Sequence, residues 1–141
     1  MAKKEQLEYQ IKKIYPIKSS FNTPSNINFE KDKDFKFDLS VDYKLDKEAE
    51  LLVVITNVEV YFANKKKSVL ASESLACVFL IKNFSSVISE KDIRSMKDEF
   101  RHLLTGLSIS TLRGHLFSKF RGTYLHNAIL PIVDPSKFTL E

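Results

Sequence analysis

Side chains that could carry out chemistry are few in this chain of 141 residues. The three histidines, His102, His115 and His126, do not stand in an HExxH spacing. That spacing would place two imidazoles and a general base on one helix face. His102 follows Arg101 in a helical stretch and reads as a solvated or capping residue. A lone cysteine, Cys77, excludes an internal disulfide and argues against a cysteine-built metal centre. Its strand-like surroundings favour a small core residue over a nucleophile. There is no GxSxG and no glycine-rich phosphate loop, and the chain has only three glycines. Glu73 is the unusual acid, because alternation puts it on one face with Leu75, Cys77, Phe79 and Ile81. It is an exposed strand-end residue, a buried acid with a partner, or a catalytic acid. A buried carboxylate without a partner costs several kcal/mol and would sooner protonate. An active site needs converging polar groups, whereas this sequence has surplus apolar surface. It reads as a binding protein without cofactor or metal, and not as an enzyme.

The elements that must position these residues follow from periodicity. Tyr9, Ile11, Ile14, Ile17 and Phe21 form a first strand whose alternation slips at two lysines and Pro16. A bulge is expected there, on a strand at the sheet's border, because proline removes a ladder donor. Phe35, Phe37, Leu39, Val41, Tyr43 and Leu45 alternate without fault against polar residues, giving a strand with one apolar face. Its two opening phenylalanines are either core or an exposed aromatic patch. Leu51 to Phe62 begins apolar on both faces, so both sides of the sheet need cover there. The turn Asn64-Lys-Lys-Lys leads to Val69–Phe84 and closes a hairpin.

From Ser89 to Arg121 the period changes to helical. Ile93, Met96, Phe100, Leu103 and Leu107, then Leu112, Leu116 and Phe120, step by three and four. Ser89 is the expected cap, Glu90 and Asp92 suit the helix dipole, and Gly122 supplies the stop. Gly106, Ser110, Gly114 and Ser118 form a ridge of small residues at four-residue intervals. A mid-helix glycine costs about 1 kcal/mol against alanine, so close approach is expected there. The approaching group is either the protein's own sheet or another copy of the helix. A break near Gly106 is the third reading. Asp134-Pro135 then marks a short helix running to the end. Four strands, a long helix and a short one predict an α+β fold with an antiparallel sheet, one domain over residues 1–141.

Composition sets the remaining bounds. Hydrophobic residues make up 43% and charged ones 28%, as in ordinary globular proteins. No apolar run reaches membrane-spanning length, and the start MAKKEQLEYQ lacks a signal-peptide apolar region. A cytosolic protein is expected. The net charge of +4 admits nucleic acid as a partner. The basic residues are scattered, however, with a local run only at Lys65 to Lys67.

Two stretches carry a resemblance. YQIKKIYPIKSSFNTP, from Tyr9 to Pro24, resembles the opening strand and crossover loop of SecB-type export chaperones. FRGTYLHNAILPIVDPSKF, from Phe120 to Phe138, is similar to that family's arginine-glycine-threonine signature and leucine-proline-valine segment. KFDLSV and Glu73 also fall where the family has a similar strand and an acidic residue.

The resemblance implies an ATP-independent holdase that grips apolar segments of unfolded polypeptides. It implies a dimer of dimers, with sheets joined edge to edge and the long helices inside. By position, the client groove would comprise Phe21, Ile27, Phe29, Phe35, Phe37, Leu39, Leu130 and Ile132. Tyr9, Ile11, Gly106, Ser110 and Gly114 would lie at the oligomer interface. Export members engage the SecA motor through an acidic surface and a C-terminal tail. This chain is basic and stops at Glu141, which puts SecA coupling in doubt. Holding unfolded preproteins for export is the first expectation, and protecting the antitoxin of a toxin–antitoxin system the second. A basic nucleic-acid-binding module is the outside alternative. Against it stands the absence of a basic stripe interleaved with aromatics.

Overall fold

The computed structural model describes residues 8–24, 27, 34–64, 68–84, 88 and 96–138. Strands β1 (Tyr9–Phe21), β2 (Phe35–Asp46), β3 (Leu51–Phe62) and β4 (Ala71–Ile81) form one antiparallel sheet in the order β1-β4-β3-β2. Helix α1 (Asp98–Phe120) and a 3-10 turn (Pro135–Lys137) follow. The fold is α+β, as the periodicity predicts.

β2 pairs with β3 in unbroken register from Phe35↔Phe62 to Asp46↔Leu51. Strict alternation in its sequence becomes strict alternation of half-buried and exposed side chains. β1 is the other edge, and its register against β4 shifts between Ile11 and Lys13 and between Pro16 and Lys18. Each bulge inserts one residue, so Ile14 returns to the face of Ile11 and sits opposite Cys77. The apparent loss of phase in β1 is this insertion.

α1 lies on one face of the sheet, over β3 and β4. Its Ile109, Leu112, Leu116 and Phe120 pack with Val58, Val60, Phe62 and Leu75 at one end. Phe100 and Leu104 pack with Leu52, Val54, Cys77 and Phe79 at the other. Burying one such side chain contributes about 1.5–3 kcal/mol, so the sheet–helix layer dominates stability. Among the described residues no element packs on the opposite face, where Leu51, Val53 and Ile55 stay half-buried. On that same face Ser72, Ser74, Ala76 and Val78 of β4 are buried. No helix among the described residues is long and apolar enough to cross a membrane.

Three expectations for the helix are corrected. It starts at Asp98, not Ser89: Met96 and Lys97 are not helical, and Lys97 at the N-cap makes no side-chain cap bond. Met96 is nonetheless buried, so the apolar spacing continues through a bend. Asp98 and Glu99 take the dipole-facing positions; Ser89, Glu90, Asp92 and Ile93 lie outside the described residues. Nor does the helix break near Gly106. The hydroxyls of Thr105, Ser108 and Thr111 donate to the carbonyls of Arg101, Leu104 and Leu107, each at 2.8 Å. A polar stretch of weak helix formers is thereby satisfied inside the helix. At the far end Gly122, with φ of 75°, stops the helix as expected. The predicted short helix is a single 3-10 turn, capped by the Asp134 carboxylate accepting from the Ser136 N–H at 2.9 Å.

Candidate functional site

Glu73 is 1% exposed. The strand-end reading is thus excluded, and the buried acid has its partner. Lys119 Nζ lies 2.6 Å from Glu73 Oε1, and the Ser19 hydroxyl donates to the same oxygen at 2.9 Å. His115 Nε2 stands 3.6 Å from Oε2, beyond a hydrogen bond. The cluster ties edge strand β1, central strand β4 and the last turns of α1 at one point. A countercharge at this distance offsets the desolvation of the carboxylate. Sequence reading found the acid but not its lysine, because Lys119 is contributed by a distant helix. Cys77 is fully buried. Burial pushes its thiol up, against the lowering effect of hydrogen bonds with the Ser108 and Thr111 hydroxyls, so it is a poor nucleophile. His102 and His126 do not join the Glu73 cluster. Among the described residues no group of His, Cys, Asp and Glu is arranged to hold a metal ion.

The apolar surface is more extensive than the polar cluster. Phe35, Phe37, Leu39 and Val41 are half-buried along the free edge strand β2 and pack on the core beneath them. Ile27, Val133 and Phe138 pack against the same core, bringing the loop before β2 and the segment after α1 to that region. Phe21 is 40% exposed and contacts the rings of Phe120 and Tyr124. Of the residues expected in a groove, Phe21, Ile27, Phe35, Phe37 and Leu39 thus surround one end of the core, and Phe29 lies outside the described residues.

Leu130 and Ile132 part company. Leu130 is 2% exposed, a core residue in this chain, whereas Ile132 is 94% exposed. The resemblance would have placed both in the groove, but the irregular segment that carries them turns only Ile132 outward. Arg113 holds it by donating from Nε to the Leu130 carbonyl at 2.8 Å and from Nη2 to the Pro131 carbonyl at 2.9 Å. Ile132 then borders a mainly apolar cleft of about 370 Å³, whose lining includes Leu103, Leu107, Ile109, Val133 and Pro135. A second depression of about 380 Å³, on the uncovered sheet face, is lined by Lys18, Asp38, Ser72 and Ser74 among others. Its walls are mixed, with Leu39 and Val58 beside these polar groups.

Sequence reasoning missed Tyr124 and Arg113. Tyr124 contacts Phe21 and Phe62, and its hydroxyl donates to the Asn22 carbonyl; burial raises its phenol. It joins the start of the crossover loop to the segment after α1. No spacing within either stretch announces that bond; only its position in the signature FRGTYL marked it.

The small-residue ridge divides. A Cβ added at Gly106 would lie 3.3 Å from Pro135 Cγ, so the close approach there is by the chain's own C-terminal segment. Gly114 has nothing within 4 Å of that position, and Ser110 is exposed. On β1, Tyr9 is half-buried against Phe100, and Ile11 is 40% exposed.

No family model and no curated protein matches this chain. Its fold is similar to that of the Mycobacterium tuberculosis SecB-like chaperone Rv1957, solved in complex with a ChAD peptide from the Rv1956 HigA1 antitoxin. The superposition has a TM-score of 0.60 and covers 89% of this chain and 87% of that one, at 10% identity. The fold is SecB-like.

Proposed function

We propose that this single-domain chain is a cytosolic, ATP-independent holdase for apolar segments of unfolded polypeptides. The observation that carries the reading is the half-buried row Phe35, Phe37 and Leu39 on an edge strand, together with Ile132, 94% exposed on the segment after α1. Soluble monomers rarely leave contiguous apolar surface without a use. Contacts of this kind are non-directional, so such a surface accepts many sequences. Several weak sites on an oligomer together retain one long chain. The exposed Ile11, Ile14 and Ile17 on β1 support association of copies at that edge. Delivery of preproteins for export is the role we assign first. The antitoxin peptide bound to the SecB-like neighbour favours a second reading, a chaperone dedicated to one antitoxin.

The test is suppression of aggregation of a chemically unfolded protein by the purified chain without ATP. Ile132→Ser with Phe37→Ser should lose most of the suppression while remaining folded. Wild-type protein that leaves aggregation unchanged at a several-fold excess would sink the proposal. Co-purification from the source cell then separates the two roles: a range of secretory precursors supports export, and one small antitoxin supports the second reading.

A further inference from the structure

The segment after α1 changes phase at one point, and a side chain of α1 sits at that point. From Ala128 to Val133 the side chains read buried, exposed, buried, exposed, exposed, half-buried. Strict alternation from Leu130 onward would turn Ile132 inward and Val133 outward. Instead Pro131 and Ile132 both face water, and Val133 packs on the core. The slip falls where Arg113 donates to two successive carbonyls, from Nε to Leu130 at 2.8 Å and from Nη2 to Pro131 at 2.9 Å. In a regular strand successive carbonyls point to opposite edges, so one side chain cannot reach both. A planar guanidinium offers two parallel donors, and gripping both carbonyls turns the chain here. Further on the segment meets α1 again at Gly106, where an added Cβ would stand 3.3 Å from Pro135 Cγ. Ile132 lies between these two anchors and is 94% exposed.

We propose that Arg113 is a positioning residue for client binding: its fork selects Ile132 over Val133 as the side chain shown to an apolar client segment. This inference rests on the holdase reading above and gives one further residue a part in it. Arg113 acts without touching the client, since its Nε and Nη2 are engaged with the two carbonyls. What it supplies is direction. An isoleucine in water gains by turning inward, and the fork opposes that turn. Lysine would keep the charge but is a point donor, not a planar fork, and would hold one carbonyl at a time. With the second carbonyl released, alternation returns. Ile132 then turns into the cleft lined by Leu103 and Leu107, and Val133 comes out.

The test uses the full chain, with alkylated, guanidinium-unfolded lysozyme as the probe client. Arg113→Lys and Ile132→Ser should each weaken suppression of its aggregation by the same several-fold factor. The double variant should be no weaker than either. A thiol placed by Ile132→Cys should react several-fold more slowly with a maleimide once Arg113→Lys is added, and one placed by Val133→Cys faster. Native Cys77, 0% exposed, reports folding in every variant by staying silent. Should Arg113→Lys unmask it, Arg113→Gln, which keeps one donor, takes its place in each comparison. Unmasking by both would make Arg113 a residue of the fold alone and overturn the assignment. Losses that add in the double variant would also overturn it, because Arg113 would then act apart from Ile132. Equal labelling at position 132 with and without the fork would do the same. In these cases wild type still suppresses aggregation and the holdase reading stands. A wild type that leaves aggregation unchanged removes both.

Discussion

The two edges of the sheet solve the same problem in different ways. β2 is regular: its register never slips, its outer face carries Lys36, Asp38, Asp42 and Lys44, and its inner face rests half-buried on the core. β1 is interrupted by Pro16 and two bulges, leaves Ile11, Ile14 and Ile17 exposed, and is held near one end by the Ser19–Glu73–Lys119 cluster. An edge strand presents unpaired backbone groups, and bulges, proline and lysine are the usual means of discouraging unwanted pairing. β1 uses all three and still shows apolar side chains, which fits an edge with one permitted partner. β2 relies on alternating charge and stays smooth, which fits an edge that meets varied chains. On the proposed function, regularity would mark the side that takes varied clients and irregularity the side that takes a second copy.

Breaking the tether of β1 should have the largest effect. Lys119→Met leaves Glu73 buried with only the Ser19 hydroxyl and His115 beside it, and a loss of about 3 kcal/mol is expected from urea unfolding. Lys44→Met on the outer face of β2 should stay within about 0.5 kcal/mol of wild type. Equal effects would mean that the cluster does not hold β1. Glu73→Gln should fall between, near 1–2 kcal/mol, because Lys119 is a third exposed and can turn to water.

The next contrast sets stability against association. Phe37→Ser should cost about 1–2 kcal/mol, since the ring is half-buried, and should weaken client holding. Ile14→Ser, at a side chain 46% exposed, should cost less than about 1 kcal/mol and instead lower the mass seen by light scattering. Exchange of these outcomes between the two strands would reverse the assignment of the edges.

Smaller still is a pair of glycine substitutions. Gly114→Ala should stabilise dilute protein by up to about 1 kcal/mol, because nothing opposes the new methyl. Gly106→Ala should gain much less, since its methyl presses on Pro135 at 3.3 Å. A thermal shift of the same size for both would show that Pro135 yields freely.

The smallest effect is acid sensitivity in the turn that packs on α1. Hydrogen bonds from the Ser136 hydroxyl and N–H hold the Asp134 carboxyl below its ordinary value. A depressed value means the contribution is present above about pH 4, the unfolded carboxyl range, and is lost as pH falls through the lower folded value. Asp134→Asn should therefore differ from wild type at neutral pH and converge with it near pH 2. A difference that persists in acid would exclude ionisation as the cause.

Much of the fold was legible because its strands obey period two and its helix period 3.6. β2 could be read residue by residue. β1 could be read only as irregular, since one inserted residue reverses the face of everything after it and sequence does not say which residue is extra. The true start of α1 was hidden because buried Met96 kept the helical spacing across a bend. At the candidate site, the half-buried phenylalanines were visible as a strand face, while Leu130 and Ile132 looked equivalent. What separates them is Arg113, seventeen and eighteen positions away from the carbonyls it holds.

The sheet order has a consequence for how the chain comes into being. β1 is the first strand to leave the ribosome, yet its neighbour is the last strand made: Tyr9 pairs with Ile81 and Phe21 with Ala71. Contacts so far apart in sequence form slowly, because a long loop must close before they return any energy. Until β4 exists, Ile11, Ile14 and Ile17 have no sheet to join. During its own synthesis, a protein of this design passes through the condition from which a holdase protects its clients. Copies already folded would meet in it an extended, apolar, unpaired strand.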